Sequence, residues 1–355
     1  MSWFNLSRAD FDALVDSAYS NGYVSPGAFL RPPPPPPPSL PPPPPPTPSL
    51  PPLSSASAAA EVPWSQLEPL CVPKGVIGTG GTATCYRGKL RGESVVIKCI
   101  ATVKGGKAKV AVDAAFRREL DVLTRLSVAP GSPYLVRLLG FCTLGESDAG
   151  LPTRALVMED LAGGSLKERL DADAPPTETQ LLAWAVDVAE GLRYLHKDMT
   201  AHLDVKPHNV LLRAEPPAGA TPARTRAVLA DFGLSKTSVT ISSYGGNSSA
   251  MVGGSSAYMS PEQWDPDGRV GLESDIWSLG CLLCEIGGKA PWFGLSQPQI
   301  LTKLAAQAAT PELPDSPALR RVAEMCLQLD KGRRPTIAQV PVGGEQRAFN
   351  TCTAR

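Results

Sequence analysis

Net charge, clustered cysteine and long apolar runs are all scarce in this chain. Its 355 residues carry 34 Lys and Arg against 34 Asp and Glu, without the basic excess that a nucleic-acid binder shows. No window approaches the roughly 18 apolar residues of a membrane helix; the best run, Ile276 to Cys284, stops at Glu285. The 8 cysteines are too dispersed for a secreted disulfide framework and read as reduced thiols. Only Cys281 and Cys284 are spaced like a metal or redox pair. Their surroundings are apolar nearly all round, the mark of a buried helix, so they read as core. The N-terminus sets Asp10, Asp12 and Asp16 beside Trp3 and Phe4, unlike a signal or transit peptide, and a cytoplasmic location is expected. No repeat of fixed period stands out.

Proline is in surplus, and the surplus is local. Of 38 prolines, 16 lie between Pro32 and Pro52. Such a tract favours polyproline II and lacks the donors for a helix or sheet. Residues 1–60 are therefore expected to be a disordered tail, with Ser7 to Ala18 as a short amphipathic stretch too short to stand alone. Arg31, Pro34 and Pro37 have the spacing that SH3 grooves accept, and unbroken proline runs suit other aromatic-lined grooves. An SH3, WW or profilin-like partner on Arg31 to Pro52 and a simple semi-rigid spacer both fit.

From residue 61 the pattern becomes that of a packed domain ending near Val340, with 341–355 expected to be disordered. Val76-Ile77, Thr84 to Leu90 and Ser94 to Ile100 read as strands, Ala114 to Leu126 as a helix, and Tyr134 to Gly140 and Arg154 to Glu159 as apolar runs. Helices dominate afterwards. Leu181, Ala185, Val188, Leu192 and Leu195 keep one face, behind a capping box of Thr177 and Gln180. A small sheet first and helices second predict an α+β fold of two lobes, 61–160 and 161–340, sharing one cleft.

Four features carry chemistry. The turn from Ile77 through Gly78, Gly80 and Gly81 to Cys85 either cradles phosphate with its backbone N–H groups or is simply a tight hairpin. Lys98 ends the β-branched run Val95-Val96-Ile97. In the following helix Phe116, Leu120, Leu123 and Leu126 form the apolar stripe, and Glu119 falls inside it. A carboxylate aimed at a core needs a cation, and Lys98 is the nearest candidate. Finally, His202-Leu203-Asp204-Val205-Lys206-Pro207-His208-Asn209 and Asp231-Phe232-Gly233 each adjoin a short apolar strand.

In this order and spacing, the residues from about Val72 to Val340 resemble those of eukaryotic protein kinases. Tyr258 to Glu262 stands where that family has Ala-Pro-Glu, and Asp275 and Arg334 match its structural anchors. The resemblance implies a bilobal kinase fold and an ATP-dependent enzyme using Mg²⁺, with Mn²⁺ as an alternative metal. Gly78, Gly80 and Gly81 would cover the phosphates, and Lys98, oriented by Glu119, would hold them. Asn209 and Asp231 would bind metal, Asp204 would accept the hydroxyl proton, and Lys206 would steady the γ-phosphate. Adenine would lie between Val76, Ile77 and Cys85 above and Leu211 below, against a hinge of Glu159-Asp160-Leu161 with Met158 as gatekeeper. Asp275 would brace the catalytic loop and Arg334 would pair with Glu262. Lys206 and Ser255 point to Ser/Thr substrates. Leu138 to Cys142, Gly164-Ser165-Leu166 and Tyr194-Leu195-His196 look like the tyrosine-kinase-like branch, which includes plant receptor-like kinases.

Three residues depart from the family pattern. Ala83 replaces the third glycine, Val96 replaces the usual alanine beside adenine, and Leu203 replaces the arginine of His-Arg-Asp. Leucine cannot grip a phosphate, so activity is expected to depend little on phosphorylation of the 9 Ser/Thr between Thr237 and Ser256. Arg213 to Arg226 reads as a surface insertion with solvated arginines. The alternative to an active enzyme is a pseudokinase or scaffold working through the proline tract.

Overall fold

The computed structural model describes residues 61–69, 76–79, 83–100, 106–127, 131–143, 154–213, 225–237, 254–265, 267–307 and 309–341. The tail at 1–60 with its proline tract, Gly80 and Gly81, residues 214–224 of the insertion, 238–253 and the 342–355 terminus lie outside them.

Six strands form one antiparallel sheet: β1 (Leu67–Pro69), β2 (Val76–Thr79), β3 (Ala83–Leu90), β4 (Glu93–Ile100), β5 (Leu138–Thr143) and β6 (Arg154–Glu159). Their order is β1-β3-β4-β6-β5, with β2 also paired to β3. Strand alternation in β4 decides where its lysine points. Val95, Ile97 and Cys99 face one side, where Val62 and Leu67 cover them together with Ala155 and Val157. Val96, Lys98 and Ile100 therefore face the other, toward helix α1 (Gly106–Leu126). Phe116, Leu123 and Leu126 of α1 join Leu138, Leu156 and Met158 in the main core, so the predicted stripe is the packed face.

The second lobe is helical: α2 (Leu166–Leu170), α3 (Glu178–Lys197), α4 (Pro261–Trp264), α5 (Leu272–Ile286), α6 (Gln297–Ala305) and α7 (Pro317–Cys326). Two small antiparallel pairs lie among these helices, β7 (Thr200–Ala201) with β10 (Lys236–Thr237) and β8 (Val210–Leu212) with β9 (Ala227–Leu229). Helix α3 starts at the predicted capping box, where the Thr177 hydroxyl accepts from Gln180 N and the Gln180 side chain accepts from Thr177 N. Helix α5 is buried from Ser274 to Ile286. Cys281, Cys284 and Cys326 are buried free thiols.

Two boundaries differ from expectation. Helix α1 begins at Gly106, eight residues before Ala114. The apolar run from Tyr134 enters the sheet only at Leu138. Its first part instead docks on β9, where Leu229 N donates to Tyr134 O and Val136 N donates to Leu229 O. Among the described residues, no helix is long and apolar enough to cross a membrane.

Candidate active site

Lys98 is the centre of the cleft. Its Nζ donates to Glu119 Oε1 at 2.6 Å and to Asp231 Oδ1 at 2.8 Å, joining β4, α1 and the segment after β9. Burial opposes the ammonium form, but the Asp231 and Glu119 carboxylates outweigh it and push the Lys98 pKa above its usual value. Burial also raises the Glu119 carboxyl, with Lys98 working against that rise. The Lys98 charge draws Asp231 down to about 2. Cys85 on β3, the register partner of Lys98 on β4, is half-buried, and burial raises its thiol pKa.

The loop after β7 presents a second group of side chains. Lys206 Nζ donates to Asp204 Oδ2 at 2.8 Å, and Asn209 Nδ2 donates to the same oxygen at 2.7 Å and to Asp204 O at 2.9 Å. Asn209 thereby keeps its side-chain Oδ1 as a hard metal ligand, while its backbone carbonyl accepts from Ala230 N at 2.9 Å, tying it to the approach to Asp231. An ionised carboxylate and an amide oxygen suit a divalent ion such as Mg²⁺, which binds through a few such ligands.

Both acidic residues rest on strained or buried supports. Asp231 has φ 64°, and Leu203, just before Asp204, has φ 66°, the left-handed region that non-glycine residues enter only when surroundings enforce it. The enforcing group at Leu203 is Asp275, fully buried on α5. It accepts from Leu203 N at 2.7 Å, His202 N at 2.8 Å and His196 Nε2 at 2.9 Å. From the other side, Gln263 Nε2 donates to Leu203 O at 3.1 Å. The Leu203 side chain fills an apolar nest of Ala201 and Val270 flanked by Leu234 and Leu272. Phe232 is buried against the His202 ring, with centroids 5.1 Å apart. Farther out, Arg334 grips Glu262 through two N–H···O contacts of 2.7 and 2.8 Å. Those contacts and the Ser274 hydroxyl overcome burial and lower the Glu262 pKa.

The structure brings Lys98, Glu119 and Asp231 together, and likewise Asp204, Lys206 and Asn209. Met158 and Leu161 are buried in the main core, Leu211 packs at its edge, and Ile77 is exposed at the register shift beside Gly78. Gly80 and Gly81 lie outside the described residues. The expectation that the insertion's arginines are solvated is corrected at two positions. Arg213 binds the hinge residue Glu159, and Arg226 stacks over the Tyr134 ring, 5.0 Å from its centroid. A mostly buried carboxylate needs a cation, and nothing in sequence identifies its partner 54 positions away. His196, which supports Asp275 from α3, was likewise not singled out for that contact.

Comparison with known proteins agrees with this geometry. The chain is 31% identical over 220 residues to the "Receptor protein kinase WSS1" of Oryza sativa subsp. japonica, covering 59% of this chain and 21% of that protein. It is 28% identical over 268 residues to human "Mitogen-activated protein kinase kinase kinase 1", covering 73% of this chain and 16% of the relative. For "Mitogen-activated protein kinase kinase kinase 11" of Rattus norvegicus the figures are 30% over 272 residues, 75% and 30%. The chain thus spans less than a third of the length of these relatives. The sequence model described as "Protein kinase domain" matches residues 72–341, the stretch holding both carboxylate clusters, and the chain belongs to the protein kinase family.

Proposed function

We propose that the chain is an ATP-dependent protein serine/threonine kinase that uses Mg²⁺ and acts in the cytoplasm on protein substrates. The observation that carries this reading is the pair of short contacts from Lys98 to Glu119 and Asp231. They hold an obligate cation, a structural carboxylate and a half-exposed, ionised carboxylate in one cleft, and phosphoryl transfer depends on such positioning and charge neutralisation.

In this reading Lys98 binds the α- and β-phosphates while Glu119 keeps it extended. Asp231 and the Asn209 amide oxygen would hold the divalent ion, whose contribution is neutralisation of phosphate charge. Asp204 Oδ2, already an acceptor for Lys206 and Asn209, takes the proton of the incoming hydroxyl. Lys206 stands beside it to balance charge on the transferred group. Leu203 occupies the place of a phosphate-gripping arginine and is sealed in an apolar nest, so activity depends little on phosphate on the activation segment. The proline tract is read as a ligand for an SH3, WW or profilin-like partner, to be tested by pull-down with and without residues 32–52.

Radiolabelled phosphate transfer to a Ser/Thr peptide by wild type and by Asp204→Ala tests the enzyme reading. Removing the base is expected to lower the rate by about 10²–10⁴-fold. Equal rates would exclude catalysis at this site.

A further inference from the structure

We propose that Arg213 and Arg87 are positioning residues that fix the hinge from both lobes and so set the register in which the nucleotide base is read. This rests on the reading of the cleft as an ATP site and adds a determinant of base recognition to it.

The hinge carries two adjacent carboxylates, and both turn into protein rather than solvent. The Glu159 side chain is 12% exposed and that of Asp160 8%. Burying an anion is unfavourable unless it is paired, and the two are paired to opposite lobes. Glu159 accepts from Arg213 Nη1 at 2.7 Å, Arg213 Nη2 at 3.0 Å and Arg137 N at 3.0 Å. Asp160 accepts from Arg87 Nε at 2.9 Å and, more distantly, from Nη2 at 3.5 Å. Arg87 lies on β3 of the sheet lobe, whereas Arg213 directly follows β8 of the helical lobe.

Arg213 is itself anchored. Its N donates to Arg226 O at 3.0 Å, closing the base of the insertion. Just before it, β8 runs along the hinge exit: Gly163 N donates to Leu212 O at 3.0 Å and Leu212 N to Gly164 O at 2.8 Å. The approach is close enough to require glycine, because a Cβ on Gly163 would stand 2.5 Å from Leu212 O and 2.7 Å from Arg213 O. The hinge exit and the end of β8 therefore form one seam, and the Arg213 fork is its side-chain clasp. Leu211, the expected floor under the base, lies on the same strand.

A base is told from its analogues by hydrogen bonds to backbone N–H and C=O groups, and these tolerate little displacement. Adenine and guanine present opposite donor and acceptor patterns at their six-position edge. A hinge clasped from two sides accepts one pattern, while a hinge freed on one side adapts to both. Arg213 touches neither base nor phosphate in this scheme and acts through Glu159. A lysine there keeps the charge but loses the fork.

The test uses the full chain and measures KM for ATP, GTP and acceptor peptide. Arg213→Met is expected to raise the ATP KM about tenfold, the scale of one lost hydrogen bond to the base, and to lower the preference for ATP over GTP. The peptide KM should stay put, and Arg213→Lys should fall between. Arg87→Met should act in the same direction but less, since only one of its two contacts to Asp160 is short, 2.9 Å against 3.5 Å. Because Arg213→Met strands a mostly buried carboxylate, Glu159→Gln/Arg213→Met is measured beside it. A double variant with wild-type ATP KM and ATP:GTP preference overturns the proposal. Wild type that shows no saturable use of ATP overturns the reading of the cleft itself, and the proposal with it.

Discussion

Replacing Asp275 by asparagine should damage both stability and catalysis, by amounts that follow from its three contacts. The carboxylate is fully buried and accepts from Leu203 N, His202 N and His196 Nε2 at 2.7–2.9 Å. Asparagine has the same shape but one accepting oxygen. In its better orientation that oxygen keeps His202 N and His196, both bonds losing their charge assistance, while the amide N–H₂ faces the Leu203 N–H. Leaving one buried donor unmet costs about 1–3 kcal/mol. With two weakened charge-assisted bonds added, the expected loss is about 3–5 kcal/mol, the range for breaking a buried charged contact. The Leu203 backbone, at φ 66°, is then free to leave the left-handed region, where it sits at a cost of roughly 1–2 kcal/mol. Asp204 follows Leu203 directly, so the proposed base moves with it. A displacement of about 1 Å in a reacting group can cost about 10²-fold. Urea titration reads the stability loss, and the rate per folded molecule, at a temperature where the variant is fully folded, reads the catalytic loss. A stability change below about 1 kcal/mol, or an unchanged rate per folded molecule, would refute the argument.

Other consequences are open to direct test. Changing all nine Ser and Thr between Thr237 and Ser256 to Ala should lower kcat/KM by less than about tenfold, or 1.4 kcal/mol in the barrier; a larger loss means phosphate on that segment matters. Asp231 is depressed to about 2 in the fold against about 3.9 unfolded, so its ion pair contributes above pH 4 and fades as pH falls toward 2. With its side chain 48% exposed, screening limits that contribution to about 1 kcal/mol. The stability gap between wild type and Asp231→Asn should therefore shrink with acidification, and a gap that widens refutes the assignment. Val62 and Leu67 precede the family match yet cover the outer face of the sheet; Leu67→Ala should cost about 2–5 kcal/mol in a thermal or urea melt, whereas a loss under 0.5 kcal/mol would mean the segment is not part of the fold.

Residue type and spacing alone made the central pair legible. Glu119 falls inside an apolar stripe and so calls for a cation, and Lys98, which ends a β-branched run and by itself could be a solvated strand lysine, is the nearest candidate upstream. The capping box at Thr177 and the buried helix around Cys281 were readable for the same reason, since each is encoded within a single turn or face. The contacts of Asp275 were expected only through family resemblance. The two clasps on the hinge were not expected at all, and the insertion's arginines were read as solvated.

What the sequence by itself determined is therefore local: which strand face carries Lys98, which helix face carries Glu119, and which turns hold Asp204 and Asp231. Tertiary structure decided that Lys98 also reaches Asp231, that Arg213 closes on Glu159 and Arg87 on Asp160, and that residues 61–67 roof the sheet. The physical reason is range. Propensity and periodicity act over a few residues, whereas a buried charge takes whichever partner the folded chain delivers within about 3 Å, and for Lys98 and Asp231 that delivery spans 133 positions.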